Sequence, residues 1–150
     1  MSQATPSVGY SGTPLPRKLG MKPGQTVAFV ALPEDLAGLA SSEPFATVDR
    51  AGAAAELGPT EAHDLIHAFY RRAADLKAGL GCLKAAIKPA GMIWISWPKK
   101  AARVDTDITE DVIRAMALAS GLVDVKVCAV SDVWSGLKLV IPVAQRPGAR

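Results

Sequence analysis

The chain contains no asparagine, only two cysteines and few aromatic residues, 5% of the total. Cys82 and Cys128 lie far apart and match no metal-ligand spacing. Both sit in apolar surroundings and read as inert thiols, since a free cysteine behaves as a small hydrophobe. No apolar run approaches the roughly 18 residues that span a bilayer, which leaves no membrane-spanning helix to expect. The N-terminal stretch MSQATPSVGYSG has no basic segment followed by an apolar one, so a cytoplasmic location is expected. A strong charge imbalance is missing as well. The net charge is +3, and basic residues do not interleave with aromatics, so nucleic acid is not indicated.

What remains is a chain of 150 residues, the usual length of one domain, with 49% apolar residues to build a core. Residues 1–18 are expected to be a flexible arm, 19–143 a single α/β domain, and 144–150 a frayed basic tail. TPLPRKLG can hold one short helical turn closed by Gly20. TVAFVAL, 26–32, is nearly continuous in apolar character, as a strand covered on both faces would be. PEDLAGLAS opens like a helix, with Pro33 and two acids. FATVDR reads as a second strand, and AGAAAELGPTEAH as a loop or weak helix. DLIHAFY, 64–70, is a third strand. The pattern then changes to helical period from Arg71 to Lys88, where Leu76, Leu80, Leu83 and Ile87 share one face. MIWISW, 92–97, is the clearest strand. TDITEDVIRAMALASG carries helix signals, with Asp107 and Glu110 at capping-box spacing and Gly121 past the end. VDVKVCAV and GLKLVIPV alternate as strands. Only SDVWS separates them, too little for a parallel crossover, so they form an antiparallel hairpin.

Strands alternating with helices and closing on a hairpin predict a three-layer, Rossmann-like α/β sheet, mostly parallel. This order resembles the class I methyltransferase fold over residues 19–143. LGMKPGQTVAFVAL is similar to the entry to that family's first strand. DLIHAFY and LKAAIKPAGMIWISW are similar to its fourth strand, following helix and fifth strand. The resemblance implies a glycine-rich loop after the first strand, which lets backbone approach the cofactor. Here that loop is Ala31, Leu32, Pro33, Glu34 and Asp35, with Gly38 the only glycine nearby. The resemblance also implies an acid for ribose hydroxyls, and Asp49 is the residue in that place. With no asparagine, SWPKK is a distant echo of the Asn/Asp-Pro-Pro-aromatic motif of amino methyltransferases. The chain further resembles a small bacterial family known only as a domain of unknown function, through GYSGTPL (9–15), WPKK (97–100), TDITEDVIR (106–114) and WSGLK (134–138). That family brings no activity with it.

Ligands of open α/β sheets bind beyond the C-terminal strand ends. Trp97, Lys99 and Lys100 leave one such end, with Arg103 nearby, and could hold an anion beneath a stacking face; solvated lysines and a sheet-covering tryptophan are the bland alternative. Trp134 sits in the hairpin tip, where core packing and ligand contact weigh equally. Tyr10 could fold back over the sheet. His63 and His67 are four residues apart, but no further metal ligand is visible, so they read as structural and no metal is expected. No catalytic residue is assigned, and no cofactor. The expectation is a methyltransferase-like binding domain without a glycine-rich loop, favoured over an enzyme, taking a small anionic ligand or a protein partner. The alternative is an S-adenosylmethionine-dependent methyltransferase with an altered cofactor loop, using Asp49 for the ribose and the WPKK end for its acceptor.

Overall fold

Alternation along each apolar strand dictates a core on both faces of a sheet. In β1 (Thr26–Val30), Val27 and Phe29 point to one face and Ala28 and Val30 to the other, and all four are buried. A computed structural model of the chain describes residues 13–147. Tyr10, most of GYSGTPL and residues 148–150 of the basic tail lie outside it.

The other strands are β2 (Thr47–Ala51), β3 (His63–Phe69), β4 (Ile87–Pro98), β5 (Val123–Ala129) and β6 (Trp134–Val140). They form one sheet in the order β2-β1-β3-β4-β6-β5. β1 pairs in parallel with β2 and β3, and β3 with β4. β6 is antiparallel to both β4 and β5. The expected α/β class, with its closing hairpin, is therefore the observed one.

One face is covered by α2 (Ala73–Ala86) and α3 (Glu110–Ala119), which bury Leu76, Leu80, Leu83, Ile113 and Ala117 against Ile66, Ile93, Ile95 and Leu139. The other is covered by α1 (Leu15–Lys18) and a 3-10 helix at Glu34–Ser41. Trp94 is fully buried there, and its indole N–H donates to the Leu19 carbonyl at 2.8 Å, tying the end of α1 to the sheet. The helix expected after β1 is thus a 3-10 helix, with Leu39 its only buried residue. A second 3-10 turn, Ala54–Leu57, stands where a loop or weak helix was expected.

The Asp107–Glu110 capping box is not formed. α3 starts at Glu110, with Thr109 as its cap; the Thr109 hydroxyl accepts from the Val112 amide at 3.2 Å. Asp107 instead accepts from the Ala73 amide at 2.7 Å, at the start of α2. Both helices begin at the same edge of the sheet, so an acid preceding one can reach the first amide of the other. Gly121 has φ of 79° just past the end of α3, as its position predicts.

Candidate functional site

From β1 the chain passes to β2 on one side and then returns to β3 on the other. The order reverses at β1, and the crevice beyond the strand ends at such a switch point is where open α/β sheets bind ligands. A cavity of about 980 Å³ opens there. It is lined by Val30, Ala31 and Pro33 after β1, by Gly52 to Ala55 after β2, and by Phe69 to Arg72 at the end of β3. Asp75, Ala78 and Gly79 of α2, Asp105 after β4 and Trp134 of β6 complete the wall.

The turn out of β1 is made without glycine. Ala31 adopts φ of 57°, the left-handed region, and its amide donates to the Ala51 carbonyl at 2.8 Å. A residue with a Cβ gives up about 1–2 kcal/mol there. Alanine is the smallest side chain that can do so, and the facing segment, Gly52 to Ala55, is equally small. Ligand could therefore approach backbone from both sides.

Tyr70 follows β3 and forms part of the floor. The residue is 8% exposed, and its hydroxyl oxygen is buried with no hydrogen-bond partner among the described residues. Burial pushes its pKa up to about 12, with Cys82 and Asp75 adding to the shift. The hydroxyl is therefore a neutral donor at physiological pH. A Cβ on Gly79 would lie 2.5 Å from that oxygen, so only glycine lets the hydroxyl sit beneath α2. A buried polar group without a partner is uncommon in a folded protein and marks this wall of the cavity.

The loop after β4 is fastened over the start of α2. The Thr106 hydroxyl donates to the Arg71 carbonyl at 2.7 Å, and Arg72 pairs with Asp105. The hydrogen bond and charge of Arg72 hold the Asp105 carboxyl below its ordinary range. On the opposite side Phe69 meets Trp134 edge to face, ring centres 5.2 Å apart at 86°. Phe69 in turn stacks on His67 at 4.3 Å.

Of the residues expected at the site, Trp134 lines the cavity. Trp97 is 8% exposed, packs in the core on the α2 face and does not line it. Lys99 is half-buried, with its amide donating to the Val133 carbonyl at 2.6 Å, and Lys100 is exposed; neither lines the cavity. Asp49 does not end its strand. It stands beside Ala28 within β2, which continues to Ala51, and its carboxylate is 2.8 Å from His63 Nε2. His63 also contacts the Ala86 carbonyl, at 3.2 Å. His67 is fully buried, 2.7 Å from the Ser96 hydroxyl through Nε2 and without a partner at Nδ1 among the described residues. The two histidines share no partner, and no group of three metal-ligating side chains exists among the described residues. Cys128 is buried and Cys82 half-buried, both as free thiols. No described helix is long and apolar enough to cross a membrane.

Sequence reasoning missed Tyr70, Arg71, Arg72, Asp75, Gly79 and Asp105. The available signal was FYRR, a polar pair leaving an apolar strand at the same edge as WPKK.

No protein-family model matches the chain, and no curated protein does. Solved structures do match its fold. A chain of the complex between the Trm112 methyltransferase activator and its methyltransferase from Haloferax volcanii superposes with a TM-score of 0.65 at 11% identity, over 85% of this chain and 87% of that one. A SAM-dependent methyltransferase from Aquifex aeolicus gives 0.59 at 17% identity, over 83% and 86%. Magnesium protoporphyrin IX methyltransferase from Synechocystis PCC 6803, with bound SAH, gives 0.55 at 11% identity, over 79% and 74%. The chain thus has the methyltransferase-like fold. The same matches correct the expectation that a binding domain is favoured over an enzyme. Absence of a glycine-rich loop argued for that expectation, yet the scaffold is one on which SAM-dependent enzymes are built, and the strand end still opens into a cavity.

Proposed function

We propose that the chain is an S-adenosylmethionine-dependent methyltransferase with an altered cofactor loop. The observation that carries this reading is the cavity at the switch point of a methyltransferase-like sheet, walled by small residues at the ends of β1 and β2. Its volume, about 980 Å³, is at the upper end of small-molecule sites, leaving room for cofactor and acceptor together.

The residues present fit the cofactor. The small side chains of Ala31 and Gly52 to Ala55 supply the close backbone approach that glycines give elsewhere. On the α2 side exposed Asp75, in the first turn of α2, offers acceptors suited to ribose hydroxyls. Asp75 takes this role in place of Asp49, whose carboxylate is engaged by His63. When bound, the cofactor would supply a methyl on a positively charged sulfur, which departs as a neutral thioether as the acceptor atom gains the methyl; an acceptor that carries a proton also gives it up.

Thermal-shift titration with S-adenosylhomocysteine tests the assignment without turnover. Asp75→Asn should weaken binding about tenfold, the effect of one charge-assisted hydrogen bond. Asp49→Asn should leave it within about twofold. The opposite ranking would refute the placement.

A further inference from the structure

The cavity has two chemically different halves. Toward α2 it is small and polar, with Tyr70, Asp75 and Gly79. Away from α2 it is aromatic. Phe69 and Trp134 pack edge to face, and Trp134 is only half-buried, so part of its indole faces open space.

Two arginines, Arg71 and Arg72, belong to the wall at this end of β3. The guanidinium of Arg72 is committed to Asp105. Arg71 is different. Its backbone is held, with its carbonyl accepting from the Thr106 hydroxyl at 2.7 Å and from the Asp107 amide at 3.4 Å. Its exposed side chain makes no hydrogen bond or ion pair with any described residue, although its charge acts on the Asp105 carboxylate that Arg72 already holds. A fixed anchor carrying a planar cation without a hydrogen-bonded partner among the described residues, in the same cavity wall as a half-buried indole, suits a flat ring that carries an anionic group. The ring would lie against indole, and the anion would take two parallel N–H donors from the guanidinium. The remaining unpaired acid of the wall, Asp75, belongs to the α2 half. No imidazole, thiol or ammonium belongs to the described wall, so an acceptor arriving already ionised also needs no protein base.

We infer that the Phe69–Trp134 half of the cavity binds a small aromatic acid as methyl acceptor, with its ring on Trp134 and its carboxylate on Arg71. One carboxylate oxygen would form the new C–O bond as the methyl–sulfur bond of the sulfonium breaks, giving a neutral ester and a neutral thioether with no proton released. The inference rests on the methyltransferase reading and names the acceptor class within it. The test uses three acids, benzoate, 4-hydroxybenzoate and indole-3-carboxylate, and the amide of each. Binding is followed by calorimetry on the full chain saturated with S-adenosylhomocysteine, and on the chain alone. At least one acid should bind saturably, about tenfold tighter than its amide. Arg71→Gln should bring the acid to the level of the amide while leaving amide and S-adenosylhomocysteine binding unchanged. Trp134→Leu should weaken acid and amide alike, and Trp134→Phe should restore both; circular dichroism checks that each variant folds. Equal binding of acids and amides, or binding of S-adenosylhomocysteine with none of the three acids, would overturn the inference and leave the methyltransferase reading standing. Failure of S-adenosylhomocysteine to bind would remove that reading, and the acid–amide contrast on the chain alone would then decide whether the anion site exists.

Discussion

Single atoms decide much of this site. A methyl group at position 79 would meet the Tyr70 hydroxyl at 2.5 Å. Gly79→Ala should therefore destabilise the protein by about 1–3 kcal/mol, although alanine is the better helix former. In a Tyr70→Phe background the hydroxyl contact is gone, leaving close approaches to Ala54 Cβ at 3.3 Å and the ring Cζ at 3.4 Å, and the same change should cost at least about 1 kcal/mol less. Urea denaturation of the four proteins measures this, and additive effects would mean that the hydroxyl is not where the clash lies. His67 makes a second prediction, for pH. Burial pushes its pKa from 6.5 down to about 3, so between these values the unfolded chain binds the proton and the folded one does not. Its contribution is complete above about pH 6.5 and is lost as pH falls toward 3, at up to about 1.4 kcal/mol per pH unit. Replacing the pair, His67→Leu with Ser96→Ala, should flatten that part of the acid limb of a stability–pH curve; an unchanged limb would exclude His67 as its source. Neither effect is legible in the sequence, because Tyr70 meets Gly79, and His67 meets Ser96, only across separate elements of the fold.

At the scale of elements, the strands and the last helix were legible. β1, β4 and the β5–β6 pair are marked by apolar runs or alternation, and α3 by its acids and Gly121. Boundaries and caps were not. The segment after β1 has helix-opening residues, but its single buried side chain leaves little packing to hold a full α-helix. Asp107 carried a correct signal for a cap and a wrong address, since its carboxylate serves the first amide of α2. Asp107→Ala should consequently cost about 0.5–2 kcal/mol, with hydrogen-exchange protection lost in the first turn of α2 and kept in α3. Loss in α3 alone would restore the capping-box reading. Arg114 holds α3 to β5 by pairing with Glu110 and Asp111 of its own helix and Asp124 of the strand. The helical spacing of 110, 111 and 114 hints at the first two partners, whereas the third requires the fold.

Across the whole molecule, the architecture follows from element order, because right-handed crossovers and a short final turn leave few ways to arrange six strands. The site does not follow in the same way. ISWPKK drew attention to a real strand end, yet Trp97 is core and the cavity is walled by residues from several loops that only the sheet brings together. Trp134 was the sequence candidate that reached it. Asp49 failed to reach it because β2 continues beyond that residue and His63 takes its carboxylate. The turn out of β1 does not need the glycine motif, since Ala31 makes the left-handed turn itself. Calorimetric titration of the full chain with S-adenosylhomocysteine is the most direct measurement of whether that turn and cavity still receive the cofactor. Saturable one-to-one binding with Kd below about 100 μM, roughly −5.5 kcal/mol, is expected. No heat of binding at millimolar ligand, with the protein shown to be folded, would contradict it.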